Sequence, residues 1–378
     1  MLFQYGLFSQ DSLNFFKPFL LSNHPLGNFT SRINHNFGYT PGTKAISFTI
    51  SRGNVWLPFV ESYLPNIEED RAIMSQYIWH HRPWEFENRD ITNYNSRAIM
   101  ADGIFSNYFL SFNSPLNGNL EIKSNIRFTS LTGGKIPVSL LTSDEFIEWF
   151  HSNIAGGEDA FGRKEQLYGL AHLYYKDTEN NYLTVKNGDF LVSEISNYFN
   201  YYLPNSCKGI HFNFSGLTAT SKINKTWYFD MGLSGSATKK FHFKKNWLDW
   251  GLSAGLLLPS VFQKQTVIIN NNNRLFSAES HWNYVFNKEK GQWVLGLNFH
   301  MQSSYHSMQE LDYNVIMRRG LTSHDHMGIS HLNRWLQGWA FVFGRNWNRW
   351  TVNCFAREDF WVDNAPDAQV GWGIQYRL

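Results

Sequence analysis

Two successive segments, "RLFSAESHWNYVFN" and "QWVLGLNFHMQSSY", hold the residues best able to do chemistry. Both alternate with period two, so each reads as a strand with one polar face. A tight connection through "KEKG" sets Glu279 opposite His300, His281 opposite Asn298 and Ser277 opposite Gln302. Directly paired residues lie about 4.5–5.5 Å apart at Cβ, within reach of a shared hydrogen bond. Serine, histidine and glutamate are the nucleophile, base and orienting carboxylate of a hydrolase. A hydrolase acting on membrane lipid would have to open to the outer leaflet. The polar set lies opposite Trp293, Leu295, Leu297 and Phe299. Its expected place is therefore an interior. Glu279, His281, Asn298, His300 and Gln302 are read as lumen- or ligand-lining residues, and no residue is assigned as catalytic.

Histidine offers a second chemistry. In "SHDHMGISH", His324 and His326 would share a strand face, as paired metal ligands do. The alternative is a solvated loop, because no cysteine stands nearby. "EDFWVDNAPD" concentrates acid without EF-hand spacing and reads as a turn-rich hairpin loop. No phosphate loop, dinucleotide fingerprint or zinc-protease motif occurs, and no cofactor is expected.

The elements that must position these residues are strands. Twelve alternating segments stand out: residues 97–112, 118–131, 166–176, 190–203, 209–220, 225–237, 247–258, 274–287, 292–305, 334–345, 349–358 and 368–378. Turn signals such as "NSPLNGN", "VKNGD" and "NKEKG" divide them. Many exceed ten residues, the length of a tilted membrane-spanning strand rather than of an ordinary globular one. Aromatics make up 17% of the 378 residues, while mean hydropathy is only -0.38. That pairing suits a transmembrane barrel, where alternate residues face lipid. Trp247, Trp250, Trp293, Trp335, Trp347 and Trp350 cluster near segment boundaries, where an aromatic girdle would sit. No apolar stretch is long enough for a spanning helix. The 33 basic residues against 31 acidic ones give no basic face for nucleic acid.

The expected fold is all-β: one transmembrane antiparallel β-barrel of about 12–14 strands over residues 1–378, with one short inserted helix. That helix is residues 142–155. Thr142 and Glu145 match a capping box, and Phe146, Ile147, Phe150 and Ile154 share a face. It has room in the lumen as a plug, or at the rim. As a gate it would act through Phe150 and His151, with Arg163. Cys207 and Cys354 read as two buried thiols, or one buried and one in a loop. The last strand, "QVGWGIQYRL", is expected to turn Val370, Trp372, Ile374, Tyr376 and Leu378 to lipid and Gln375 and Arg377 inward. The N-terminus "MLFQYGLFSQ" lacks the pattern of a signal peptide.

Three stretches in order, "PFLLSNHPL", "FIEWFHSNIAGGEDAFGR" and "FAREDFWVDNAPDAQVGWGIQYRL", resemble an uncharacterised bacterial family, domain of unknown function 3187. His151, Arg163, Glu358, Asp359, Pro366 and Asp367 fall on its motif positions. The chain departs from the family in a shorter, Lys- and Asn-rich middle. The resemblance implies an outer-membrane barrel and no activity.

The expected function is a narrow channel or pocket for a small polar or amphipathic molecule, in the outer membrane of a Gram-negative bacterium. An outer-membrane lipid hydrolase and a structural subunit of an envelope complex are the alternatives. Expected partners are membrane lipid, the barrel-assembly machinery during insertion, and an envelope-complex partner.

Overall fold

The computed structural model describes residues 15–77, 92, 94–133, 149, 153, 171–288, 291–310, 315–317, 327–358, 366 and 368–378. Their strands are β1 (Ala45–Leu64), β2 (Asn95–Pro115), β3 (Leu120–Thr132), β4 (His172–Lys176), β5 (Tyr182–Lys186), β6 (Phe190–Tyr202), β7 (Ile210–Ile223), β8 (Thr226–Phe243), β9 (Asn246–Leu258), β10 (Leu275–Lys288), β11 (Gly291–Gln302), β12 (Val315–Met317), β13 (Leu336–Trp347), β14 (Trp350–Glu358) and β15 (Gln369–Arg377). Twelve of these pair antiparallel in a ring. The ring runs β1, β2, β3, β6, β7, β8, β9, β10, β11, β13, β14, β15 and back to β1. Closure is direct: Ile50 of β1 pairs with Tyr108 of β2 on one side and Trp372 of β15 on the other. A closed ring leaves no strand edge unpaired, which lipid requires because it cannot hydrogen-bond the backbone.

The alternation sorts inside from outside. Along β9, Asp249 and Ser253 point inward and are buried, while Leu252 and Leu258 point outward. Leu110, Phe199, Leu233, Leu295, Phe341 and Trp372 belong to the same outward apolar band. Leu233 is 69% exposed, a placement that only a lipid surround makes favourable. On β15, Trp372 joins the band while Arg377 is buried inward, donating to Asn346 and to the Asn348 carbonyl.

The two ends differ. At the end holding Ala45 and Leu378 the connections are short. Lys244 and Asn348 take left-handed backbone there (φ 55° and 48°), as tight hairpins need. The opposite end carries one tight turn, after β7, and the longer connections after β1, β3, β9, β11 and β14. Short turns mark the periplasmic side of such barrels and long loops the outer side. On the outer side β4 and β5 form a hairpin hydrogen-bonded to the upper part of β2, and β12 pairs with the upper part of β1.

Four sequence expectations change. The segment expected over residues 166–176 is, where described, an outboard hairpin strand and no stave of the barrel. The twelfth stave is instead β1. Its pattern is obscured because Arg52 and Asn54 stand on the face that carries Phe48 and Ile50, yet are buried. Trp247 is not part of an outer girdle; it is buried, with its indole N–H donating to Asp249 Oδ2 at 2.7 Å. Cys207 and Cys354 are both free and both exposed, contrary to the buried reading. Cys354 sits on the apolar outer face among Phe343, Val370 and Ala356. In lipid vesicles a polar maleimide is expected to label Cys207, and only a lipid-soluble one Cys354. Equal labelling of both by the polar reagent would contradict this placement.

Candidate functional site

The lumen is occupied by the chain's own N-terminal segment. Residues 15–42 climb from the periplasmic end, turn at the outer end and descend to begin β1. At the base, Phe16 packs against Trp247, Val285 and Val294, and Asn353 donates to the Phe15 carbonyl. Halfway up, Lys17 Nζ sits 2.8 Å from Glu279 Oε2. The same ammonium donates to Asn34 Oδ1 at 2.8 Å and the His35 carbonyl at 3.0 Å, tying the ascending run to the descending one. Higher, the Leu21 amide donates to Gln369 Oε1 at 2.9 Å.

A short 3-10 helix, Pro25–Phe29, makes the turn. Proline stands at its first position, where its missing N–H costs nothing. His24 Nδ1 accepts from the Leu26 amide at 3.2 Å. Asn28 Oδ1 accepts from the Ser22 amide and from Asn107 Nδ2, at 3.0 and 3.1 Å. On the way down, Thr30 O accepts from Arg127 Nη2 at 2.6 Å, and the Asn34 amide donates to Tyr198 Oη at 2.8 Å. Tyr39 Oη donates to Asp249 Oδ1 at 2.8 Å, and the Gly42 amide to Glu121 Oε2 at 2.7 Å. Irregular backbone inside a barrel needs partners for its polar groups. The polar face of the strands supplies them. Wall glycines make the room: a Cβ on Gly251 would lie 2.6 Å from Phe37, and one on Gly255 2.7 Å from Ile33.

Above the polar middle the lumen becomes an apolar core. Leu21, Leu26, Phe29 and Ile33 of the plug pack there with Phe105, Leu131, Leu173 and Leu257 from the wall and outer hairpin, and with Ile269, Tyr305 and Leu332 from the loops. Below that core, two adjoining cavities lie beside the plug. The lower lies between the plug and β1, β2 and β3 and reaches Gly42, Asn113, Lys123 and Gln375 at the periplasmic end. The upper is lined by Arg32, Arg127, Glu194, Glu279, Asn298 and His300. Lys17, Pro18, Phe19, Asn34 and Phe109 line both.

The expected pairs are all present in the register: Glu279 with His300, His281 with Asn298, and Ser277 with Gln302. Glu279, His281, Asn298 and Gln302 are buried in the interior, and His300 lines the upper cavity. The hydrogen bonds differ from the expected set. The Glu279 carboxylate goes to Lys17 and to Asn298 Nδ2 at 2.8 Å, leaving His300 unoriented by it. Ser277 Oγ lies 3.0 Å from His35 Nε2, whose other ring nitrogen meets Ser253 Oγ at 2.6 Å. That histidine has a serine where a hydrolase would place a carboxylate. His281 is held edge-on against Phe37, ring centroids 4.3 Å apart. The gate residues Phe150, His151 and Arg163 and the metal candidates His324 and His326 lie outside the described residues. Among the described residues no group of three metal-binding side chains gathers.

His306 sits in the outer cap, beyond the strands. Its amide donates to Leu332 O at 2.7 Å and its Nε2–H to Ile269 O at 3.0 Å. Burial, with the charge of Arg97 added, holds its pKa well below 6.5. The folded cap therefore refuses a proton that the unfolded chain accepts below that value. Stability is complete above pH 6.5 and falls as pH drops beneath it, by up to about 1.4 kcal/mol per unit. Melting at pH 5 and 7.5 should show a larger difference in the native chain than in His306→Gln. Equal differences would rule this group out.

An even-numbered closed antiparallel barrel, with an apolar outer band and a polar lumen, defines a membrane barrel of the Gram-negative outer membrane. No family model matches the chain, and no curated protein does. Among solved structures it is similar to an outer-membrane channel of Pseudomonas putida F1 known as COG4313, at 8% identity and TM-score 0.40, over 93% of this chain and 98% of that one. It is also similar to LpxR of Salmonella typhimurium, at 7% identity and TM-score 0.37, over 88% and 100%. A third likeness is to the transport unit of the Escherichia coli autotransporter AIDA-I, at 9% identity and TM-score 0.34, over 94% and 96%. These likenesses are distant; the barrel assignment rests on this chain's own strand order.

Proposed function

We propose that this barrel is a narrow, gated channel for a small polar or amphipathic molecule, closed at rest by residues 15–42. The carrying observation is the pair of cavities that runs from the periplasmic end to Glu279, Asn298 and His300 and stops beneath the apolar core. A solute reaching that depth meets polar wall groups but no way through until the plug shifts. The plug suits such a shift. It is not part of the β ladder, and side-chain hydrogen bonds hold much of it in place. Bilayer conductance of the intact chain and of a chain lacking residues 1–38 tests the reading.

Insertion by the barrel-assembly machinery belongs to this proposal, as does an envelope partner at the outer loops. Kinship with domain of unknown function 3187 is supported by the three ordered motifs. The first of them, "PFLLSNHPL", falls within the plug.

A further inference from the structure

The upper cavity has a charge imbalance that its own side chains do not resolve. Its ionisable lining is Lys17, Arg32 and Arg127 against Glu194 and Glu279, three cations to two carboxylates, together with His300. Both carboxylates are taken: Glu279 by Lys17 at 2.8 Å, Glu194 by Arg127 at 3.0 Å. Arg32 is left over. Its Nη2 donates to the Leu20 carbonyl at 3.0 Å, and its guanidinium lies 5.6 Å from the Phe19 ring centroid. Among the described residues it has no ion pair, and its buried Nε has no partner. Arg127, 1% exposed, also keeps Nε and Nη1 without partners among the described residues. A buried guanidinium with unused donors beside an empty volume is costly unless something accepts from it.

We propose that the upper cavity binds a small monocarboxylate, its anion taken by Arg32 with the spare donors of Arg127. This names the solute class for the channel reading above and rests on it. The single surplus charge selects a monoanion, since a dianion would leave the cavity negative. The remainder of the ligand meets apolar surface. Phe19 stacks on Phe109, centroids 3.8 Å apart, and Leu20, Leu21 and Ile33 complete the lining. The lining thus pairs a cationic end with an aromatic and aliphatic wall, which matches a small amphipathic carboxylate. Lys123 in the lower cavity and Lys17 between the two place cations along the way from the periplasmic end.

The test uses the detergent-purified full chain, with benzoate and hexanoate as probes and benzyl alcohol and inorganic phosphate as controls, read by calorimetry. Saturable one-to-one binding of the carboxylates is expected, with benzyl alcohol at least roughly tenfold weaker, the scale of a charge-assisted hydrogen bond. Arg32→Gln should weaken benzoate by a similar factor and leave benzyl alcohol unchanged. Arg32→Lys, which keeps the charge and loses the fork, should fall between. Benzyl alcohol binding as well as benzoate would overturn the proposal on the native chain alone, whether or not the variants fold. Phosphate binding more tightly than benzoate would overturn it too, as would unchanged affinity in a folded Arg32→Gln. Binding needs no open channel. Loss of this proposal would therefore leave the conductance result standing, and the reverse holds as well.

Discussion

Removing residues 1–38 is expected to raise single-channel conductance by roughly an order of magnitude, because a 12-stranded barrel cleared of its filling lies between packed eight-stranded and open 16-stranded ones. The strand ring does not include the plug, so the wall keeps its backbone pairing. The loss falls on the upper core, where Leu21, Leu26, Phe29 and Ile33 are buried. Each such side chain contributes about 1.5–3 kcal/mol on burial, so the shortened barrel should melt earlier while still running as a folded species in a cold denaturing gel. A gentler variant is Gly251→Val. Its added carbons meet Phe37 at 2.6 Å and His281 at 2.8 Å, which should loosen the descending run and give intermittent openings. Unchanged conductance in a folded deletion variant would mean that Ile269, Tyr305 and Leu332 close the outer end unaided. The plug would then be structural filling and not a gate.

Glu194→Leu is expected to destabilise the barrel by about 3–5 kcal/mol, the range for breaking a buried ion pair. Arg127→Met should cost less, and the asymmetry is the informative part. Removing Glu194 strands Arg127 beside Arg32, two buried cations with no carboxylate between them. Removing Arg127 leaves Glu194 in the same cavity as Arg32, which has no other ion pair among the described residues and can turn toward it. The double variant should recover most of the loss, short of the bond from Arg127 to Thr30 O. Urea unfolding of the four proteins measures this cycle. Equal costs for the two single variants would show that Arg32 does not respond to Glu194.

Much of the wall was legible because its cause is local. A strand between lipid and a polar lumen must alternate, and that is written within ten residues, as in "WLDWGLSAGLLL". The pairing of Glu279 with His300 followed from the hairpin connection alone. β1 was obscured where Arg52 and Asn54 break the alternation, because those two positions of its outward face are buried rather than bathed in lipid. The partners of the paired residues could not be read the same way. Glu279 found Lys17, 262 positions earlier, and Ser277 found His35. The available signal was weak: "KPFLLSNHPLGNFTSRINHNFGYT" is rich in Asn, His and Ser, carries two prolines and lacks sustained alternation.

The sequence by itself determined a membrane barrel, a strand number within its expected range and, for eleven of the twelve staves, which face turns inward. Those properties follow from a two-residue period that the lipid and the lumen impose on a stave bathed by both. Only the tertiary structure decided what fills the lumen. The plug is irregular, and its contacts join residues as far apart as Leu21 and Gln369. No periodicity encodes such pairs; they exist once twelve strands close and bring one polar wall around a single chain.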